Sequence, residues 1–250
     1  MPILCYNILM YGVRPQYSLN GGIYMQHEPM LIVMLTHDDK TVLNAAEIFE
    51  QCKDSAAQYW GMKEEPLPPE EMKALYKRMR ECGKTTVLEV VSYTEDKCLE
   101  GAQLAVDCGC DILMGTMFFD SVNRFCKEHD LRYMPFVGEV YDRPSILGGD
   151  IDGIIAEAKD HIAKGACGID LLGYRFVGDA VELNKRLVAE VPAPVCIAGS
   201  INSFARLDEV TEADPWAFTI GSAFFENQFG EDFCTQINKV CAYMKEHAYA

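Results

Sequence analysis

Apolar residues in this chain switch repeatedly between two spacings. Short continuous apolar runs alternate with longer stretches in which apolar positions recur every three or four residues. Leu31–Leu35 is too short for a buried helix and reads as a strand. Val42, Ala45, Ala46, Phe49 and Cys52 follow at helical spacing and predict a helix over Thr41–Lys53. A second strand, Ala56–Met62, ends at Lys63, and a proline-rich loop leads to Pro69, which opens a helix to Cys82. The β-branched run Thr85–Val91 is the third strand, followed by a helix from Thr94 to Asp107. Asp111–Gly115 and the helix Asp120–Glu128 form the fourth unit. Leu131–Val137, the long loop Gly138–Gly149 and the helix Asp150–Lys164 form the fifth. Cys167–Leu171 and Ala180–Val191 form the sixth. Pro194–Ala198 and Ala217–Ile220 are the seventh and eighth strands, each followed by a small-residue turn and a helical segment, and Glu231–His247 closes the chain. Such alternation implies parallel strands with right-handed crossovers. Eight units close a barrel, where five or six would leave an open sheet. The expected fold is therefore α/β: a single (β/α)8 TIM barrel over 30–250, with no composition break for a second domain.

The last two turns carry the first chemical signal. They read Ala198-Gly199-Ser200-Ile201-Asn202 and Ile220-Gly221-Ser222-Ala223. Glycine lets the backbone approach a ligand closely, so that several N–H groups can face one oxyanion. Two such turns on neighbouring parallel strands predict a phosphate cup built by Gly199, Ser200, Ile201, Gly221 and Ser222, at the place where (β/α)8 barrels commonly hold one.

Composition narrows the partners. The 250 residues carry a formal charge of −16, which repels nucleic acid and anionic membrane and excludes both as expected partners. Eleven cysteines fall mostly inside apolar patterns, as at Cys52, Cys98 and Cys196, which suits buried thiols in a reducing cytoplasm. Neither a disulfide nor a structural metal is expected, since Cys108-Gly109-Cys110 is not a zinc spacing. No apolar run reaches the length of a membrane span. Met1–Met10 is apolar but lacks a basic start and a cleavage site, and Tyr11–Met25 has no period. Residues 1–29 are expected to be an N-terminal arm or to lie partly upstream of a natural start at Met25.

With eight units and these two turns, the chain resembles the ribulose-phosphate-binding barrel superfamily of epimerases, synthases and aldolases. The resemblance spans about Met30 to Phe225, with Ser200 standing where the usual Gly-Gly-Ile turn has its second glycine. It implies a small phosphorylated substrate without naming the reaction. Several members are excluded. Strand three offers Glu89-Val90-Val91-Ser92 rather than an Asp-x-Lys-x-x-Asp motif; paired His and Asp metal ligands are absent; the strand-six position of the aldolase Schiff-base lysine holds Asp170.

At the barrel mouth, charged residues inside strand patterns stand out, because an unpaired inward charge is costly. Glu89 and Asp170 are candidate bases for removing a proton next to a carbonyl. Lys63 is a candidate acid or electrostatic stabiliser of an enolate, or alternatively a Schiff-base lysine. Its bland alternative is an ion pair with Glu89 that closes the mouth. His37 and Asp38 are weaker catalytic candidates, and Asp39 reads as a cap of the following helix. Arg175 is a candidate anion clamp. Glu139 and Arg143 lie in a loop with glycine hinges, a candidate lid. No organic cofactor is expected, although Asp38, Glu89 and Asp170 could bind magnesium. Met34, Met62, Met114 and Met134 read as barrel filling, and Phe224-Phe225 as packing or a subunit contact of an expected homo-oligomer. The expected activity is isomerisation or epimerisation of a sugar phosphate. A carbon–carbon lyase using Lys63 and a barrel that binds a phosphometabolite without chemistry are the alternatives.

Overall fold

The computed structural model describes residues 28–247 in full, together with the backbone of Arg14–Tyr17 and Ile23–Gln26, which pair antiparallel. The expectations for Met1–Met10 and for most of Tyr11–Met25 lie outside the described residues.

Eight parallel strands form one sheet: β1 (Met30–Met34), β2 (Tyr59–Lys63), β3 (Thr85–Val90), β4 (Ile112–Gly115), β5 (Arg132–Met134), β6 (Ile169–Leu171), β7 (Val195–Ile197) and β8 (Ala217–Ile220). Neighbours pair in chain order, and β8 pairs with β1, so the sheet curls on itself. Between β5 and β6 the seam is bridged by the Cys167 N–H donating to the Tyr133 carbonyl at 2.8 Å and the Asp170 N–H donating to the Pro135 carbonyl at 3.0 Å. Around the barrel run helices α1 (Ala45–Cys52), α2 (Pro69–Glu81), α3 (Glu95–Cys108), α4 (Asp120–Glu128), α5 (Ile151–Lys164), α6 (Ala180–Glu190), α7 (Phe204–Ala213), the short α8 (Ser222–Phe225) and α9 (Phe233–His247).

The pleat sorts each strand into two faces. Ile32, Met34, Val87, Ile112, Met114, Met134 and Cys196 fill the barrel interior, while Val33, Leu88, Leu113 and Phe218 pack under the helices. Met62 departs from the expected filling role. It belongs to the outer layer, because it alternates with Gly61 and Lys63. The same alternation turns Lys63, Glu89 and Asp170 to the inside, each at or near the C-terminal end of its strand.

Three expectations need correction, and for Phe224 the packing alternative holds. The first helix starts at Ala45, not Thr41, because Thr36–His37 and Lys40–Thr41 pair antiparallel around a tight turn at Asp38 and Asp39. The loop Gly138–Gly149 is a hairpin, Glu139–Tyr141 against Ile146–Gly148. Phe224 is buried in the core, which removes it from any subunit contact. Finally, Cys52 and Cys234 form a disulfide. The strand-and-helix order packs α1 against α9, bringing together two Cα atoms that are 5.1 Å apart in space and separated by 182 positions in sequence. No helix among the described residues is long and apolar enough to cross a membrane.

Candidate active site

A cleft of about 280 Å³ opens at the C-terminal end of the barrel, near the lower end of the range for small-ligand sites. Its floor is charged. Lys63 and Glu89 are register partners on β2 and β3. Lys63 Nζ lies 3.2 Å from Glu89 Oε1 and donates a further, short hydrogen bond to Asp39 Oδ1. Burial alone would depress the Lys63 pKa, but the two carboxylates outweigh it and hold the amine above its ordinary value. The ammonium is therefore the resting form. The expected Lys63–Glu89 pair is present, with Asp39 as an unexpected third member.

Asp39 does not cap the following helix. The N-cap there is Asn44, which makes no side-chain capping bond. Asp39 instead sits at φ 63° in the turn after β1, which swings its carboxylate over the barrel mouth. Its second oxygen accepts from Arg143 Nε at 2.9 Å. Arg143 also reaches Glu64 at 3.2 Å and Glu65 at 3.3 Å. The hairpin that carries Arg143 is held from its other side by the Tyr93 hydroxyl, which donates to the Asp142 carbonyl at 2.7 Å and lies 2.9 Å from the Ser145 hydroxyl. Pro144 and Ser145 thereby become cleft wall.

Asp170 behaves differently. It is fully buried and is not among the residues lining the cleft. Neither carboxyl oxygen meets a donor in hydrogen-bond geometry among the described residues. Burial first, and the charge of Glu89 second, push its pKa well above the ordinary carboxylate range; Lys63 and the Gly115 amide offset this only in part. Burial thus favours the protonated form of Asp170, which lies outside the cleft lining.

Both predicted turns line the same cleft as Lys63 and Glu89. Gly199 and Ser200 adopt φ of 87° and 50°, a tight left-handed turn at the cleft wall. The N–H groups of Ser200, Ile201 and Ser222 donate to no protein acceptor among the described residues. Gly221 admits Thr36: a Cβ there would lie 2.5 Å from the threonine Oγ1. The Arg175 stem packs over Gly199, where a Cβ would sit 2.6 Å from its Cγ. Arg175 lines the cleft and forms no ion pair among the described residues.

His37 and Asp38 lie at the rim. His37 is 3.5 Å from Asp38 and 3.7 Å from Glu226 and does not line the cleft, whereas Asp38 does, with its side chain 88% exposed. No group of three or more His, Cys, Asp or Glu side chains among the described residues is arranged to hold a metal ion. The residues that sequence reasoning missed or undervalued are Asp39, Thr36 and the latch formed by Arg143. Their one sequence signal is position, directly after a strand C-terminus or inside a glycine-hinged loop.

The sequence matches no family model and no curated protein. Solved structures are similar at low identity. Native KDPGal is 14% identical, with a TM-score of 0.64 over 91% of this chain and 98% of that chain. The tryptophan synthase alpha chain from Legionella pneumophila is 14% identical, with a TM-score of 0.59 over 89% and 92%. Orotidine 5'-phosphate decarboxylase from Pyrococcus horikoshii is 11% identical, with a TM-score of 0.62 over 86% and 99%. At such identities the likeness speaks for the fold alone: the chain is a (β/α)8 barrel.

Proposed function

We propose that this protein is a metabolic enzyme that isomerises or epimerises a small sugar phosphate by proton transfer. One observation carries the reading. Arg175 and the glycine-turn amides that are paired with no protein group among the described residues face a single cleft of substrate size, and so does the Lys63–Glu89 pair. In this reading the turns and Arg175 hold the phosphate, which leaves the sugar chain directed at β2 and β3. Glu89 takes the proton from the carbon next to the carbonyl. The Lys63 ammonium stabilises the enolate oxygen that forms. The proton then returns to the former carbonyl carbon, while the hydroxyl proton of the first carbon passes to the former carbonyl oxygen so that a new carbonyl forms, or it returns to the same carbon with inverted configuration.

The lyase alternative is weaker here. A Schiff base needs a neutral amine, and Lys63 is paired with two carboxylates that keep it charged. Two measurements test the proposal. Sugar phosphates should raise the melting temperature where the unphosphorylated sugars do not. A bound sugar phosphate should exchange one carbon-bound hydrogen with deuterated solvent, and Glu89→Gln should stop that exchange. Equal stabilisation by phosphorylated and free sugars, or a borohydride-trapped adduct on Lys63, would sink it.

A further inference from the structure

The two ends of the cleft differ in charge. At the β7–β8 end stand the amides of Ser200, Ile201 and Ser222 and the guanidinium of Arg175, none of which is paired with a protein group among the described residues. At the β1–β3 end the lining carboxylates are Asp38, Asp39 and Glu89, and Glu226, just after α8 and 3.7 Å from His37, stands where the two ends meet. The cations there are already engaged. Lys63 is shared between Asp39 and Glu89, and Arg143 among Asp39, Glu64 and Glu65. His37 stands between Asp38 and Glu226 outside the cleft. Asp170, whose carboxyl feels the charge of Glu89, is fully buried, and neither of its oxygens meets a donor in hydrogen-bond geometry among the described residues. Burying a carboxylate with so few donors is costly, so the surroundings of Glu89 disfavour further negative charge.

We infer that the substrate is anionic at one end only: a phosphate monoester whose reacting end is a neutral carbonyl or polyol, and not a sugar acid, keto acid or bisphosphate. This rests on the phosphate-cup reading above and narrows it. A carboxylate placed beside Glu89 would be the next negative charge in a crowded, partly desolvated corner, where the described residues offer no cation that is not already paired with a carboxylate. Hydroxyl and carbonyl groups meet the opposite situation, since Glu89 and Asp38 accept from hydroxyls and Lys63 donates to a carbonyl oxygen. Repulsion of this kind selects by excluding the wrong ligand as much as by holding the right one.

The test uses calorimetric titration of the whole protein with the terminal monophosphates of ribose and glucose, the terminal monophosphates of ribonic and gluconic acid, and the four compounds without phosphate. The sugar phosphates are expected to bind at least about tenfold more tightly than the acid phosphates, a gap that shrinks as salt screens the charges. Glu226→Gln should narrow the gap by strengthening the acid phosphates while leaving the sugar phosphates nearly unchanged. Acid phosphates binding as tightly as sugar phosphates, or more tightly, overturn the inference and leave the phosphate cup standing. If phosphate adds nothing to the binding of either series, the cup itself is wrong and the inference falls with it.

Discussion

Arg143 Nε lies 2.9 Å from Asp39 Oδ2, joining two loops 104 residues apart in sequence. The contact fastens the Glu139–Gly148 hairpin to the turn after β1, and Asp39 passes the link on to Lys63. Latch and charged floor are therefore one network.

Replacing the latch should loosen the wall without unfolding the barrel. The Arg143 side chain is about a third exposed, so its ion pairs are screened and Arg143→Ala should cost about 1 kcal/mol or less. Hydrogen exchange should quicken within Glu139–Gly148 and leave the barrel strands unchanged. Unaltered protection of the hairpin would show that the Tyr93 contacts alone hold it.

Lys63 is the costlier position. Lys63→Met leaves the buried Glu89 without its cation and Asp39 with Arg143 alone, and breaking a buried pair in this way costs about 3–5 kcal/mol. Urea unfolding measures it. A loss below about 1 kcal/mol would mean that water reaches the pair and screens it.

Asp170 should make stability fall as pH rises. Its native pKa is raised, so above the ordinary aspartate value of about 4 the folded state holds a proton that the unfolded chain has released. More protons on the native state means that unfolding free energy declines with increasing pH until the native group ionises. Asp170→Asn should remove that part of the slope and match or exceed wild-type stability at neutral pH. Parallel pH profiles for the two proteins would contradict the raised pKa.

Gly221 holds open the space used by Thr36. In Gly221→Ala the new methyl would sit 2.5 Å from the Thr36 hydroxyl and 2.9 Å from its carbonyl oxygen, so side chain and backbone must both move, at about 1–3 kcal/mol. The melting temperature of the unliganded protein should fall modestly, and stabilisation by sugar phosphates should vanish. Retention of that stabilisation would place the phosphate elsewhere.

The Cys52–Cys234 bond closes a loop spanning 182 positions. Replacing both cysteines with serine should lower stability by about 2–4 kcal/mol. Alkylation of unfolded protein before and after reduction should differ by two thiols. An equal count would show that the pair is reduced in the purified protein.

Much of this arrangement was legible from pattern. Lys63, Glu89 and Asp170 are charged residues at inward positions of otherwise apolar strands, and strand order alone predicted that Lys63 would meet Glu89. The glycine turns after β7 and β8 were visible for the same reason, since small residues at a strand end mark close approach. Asp39 was not, because it follows another aspartate, and only the turn conformation decides which of the two carboxylates swings inward. Nor did any signal separate Asp170, buried outside the cleft lining, from Glu89, which belongs to it, because both carry the same strand pattern.

Hydrophobic spacing records how each segment buries its own face, and for eight short strands and their helices that is enough to specify a barrel and its mouth. It holds no information on pairings across long separations. Arg143 with Asp39, Cys52 with Cys234, and the closed environment that favours the protonated form of Asp170 arise only when distant loops and helices are packed together, because distance and solvent access belong to the folded chain and not to any stretch of it.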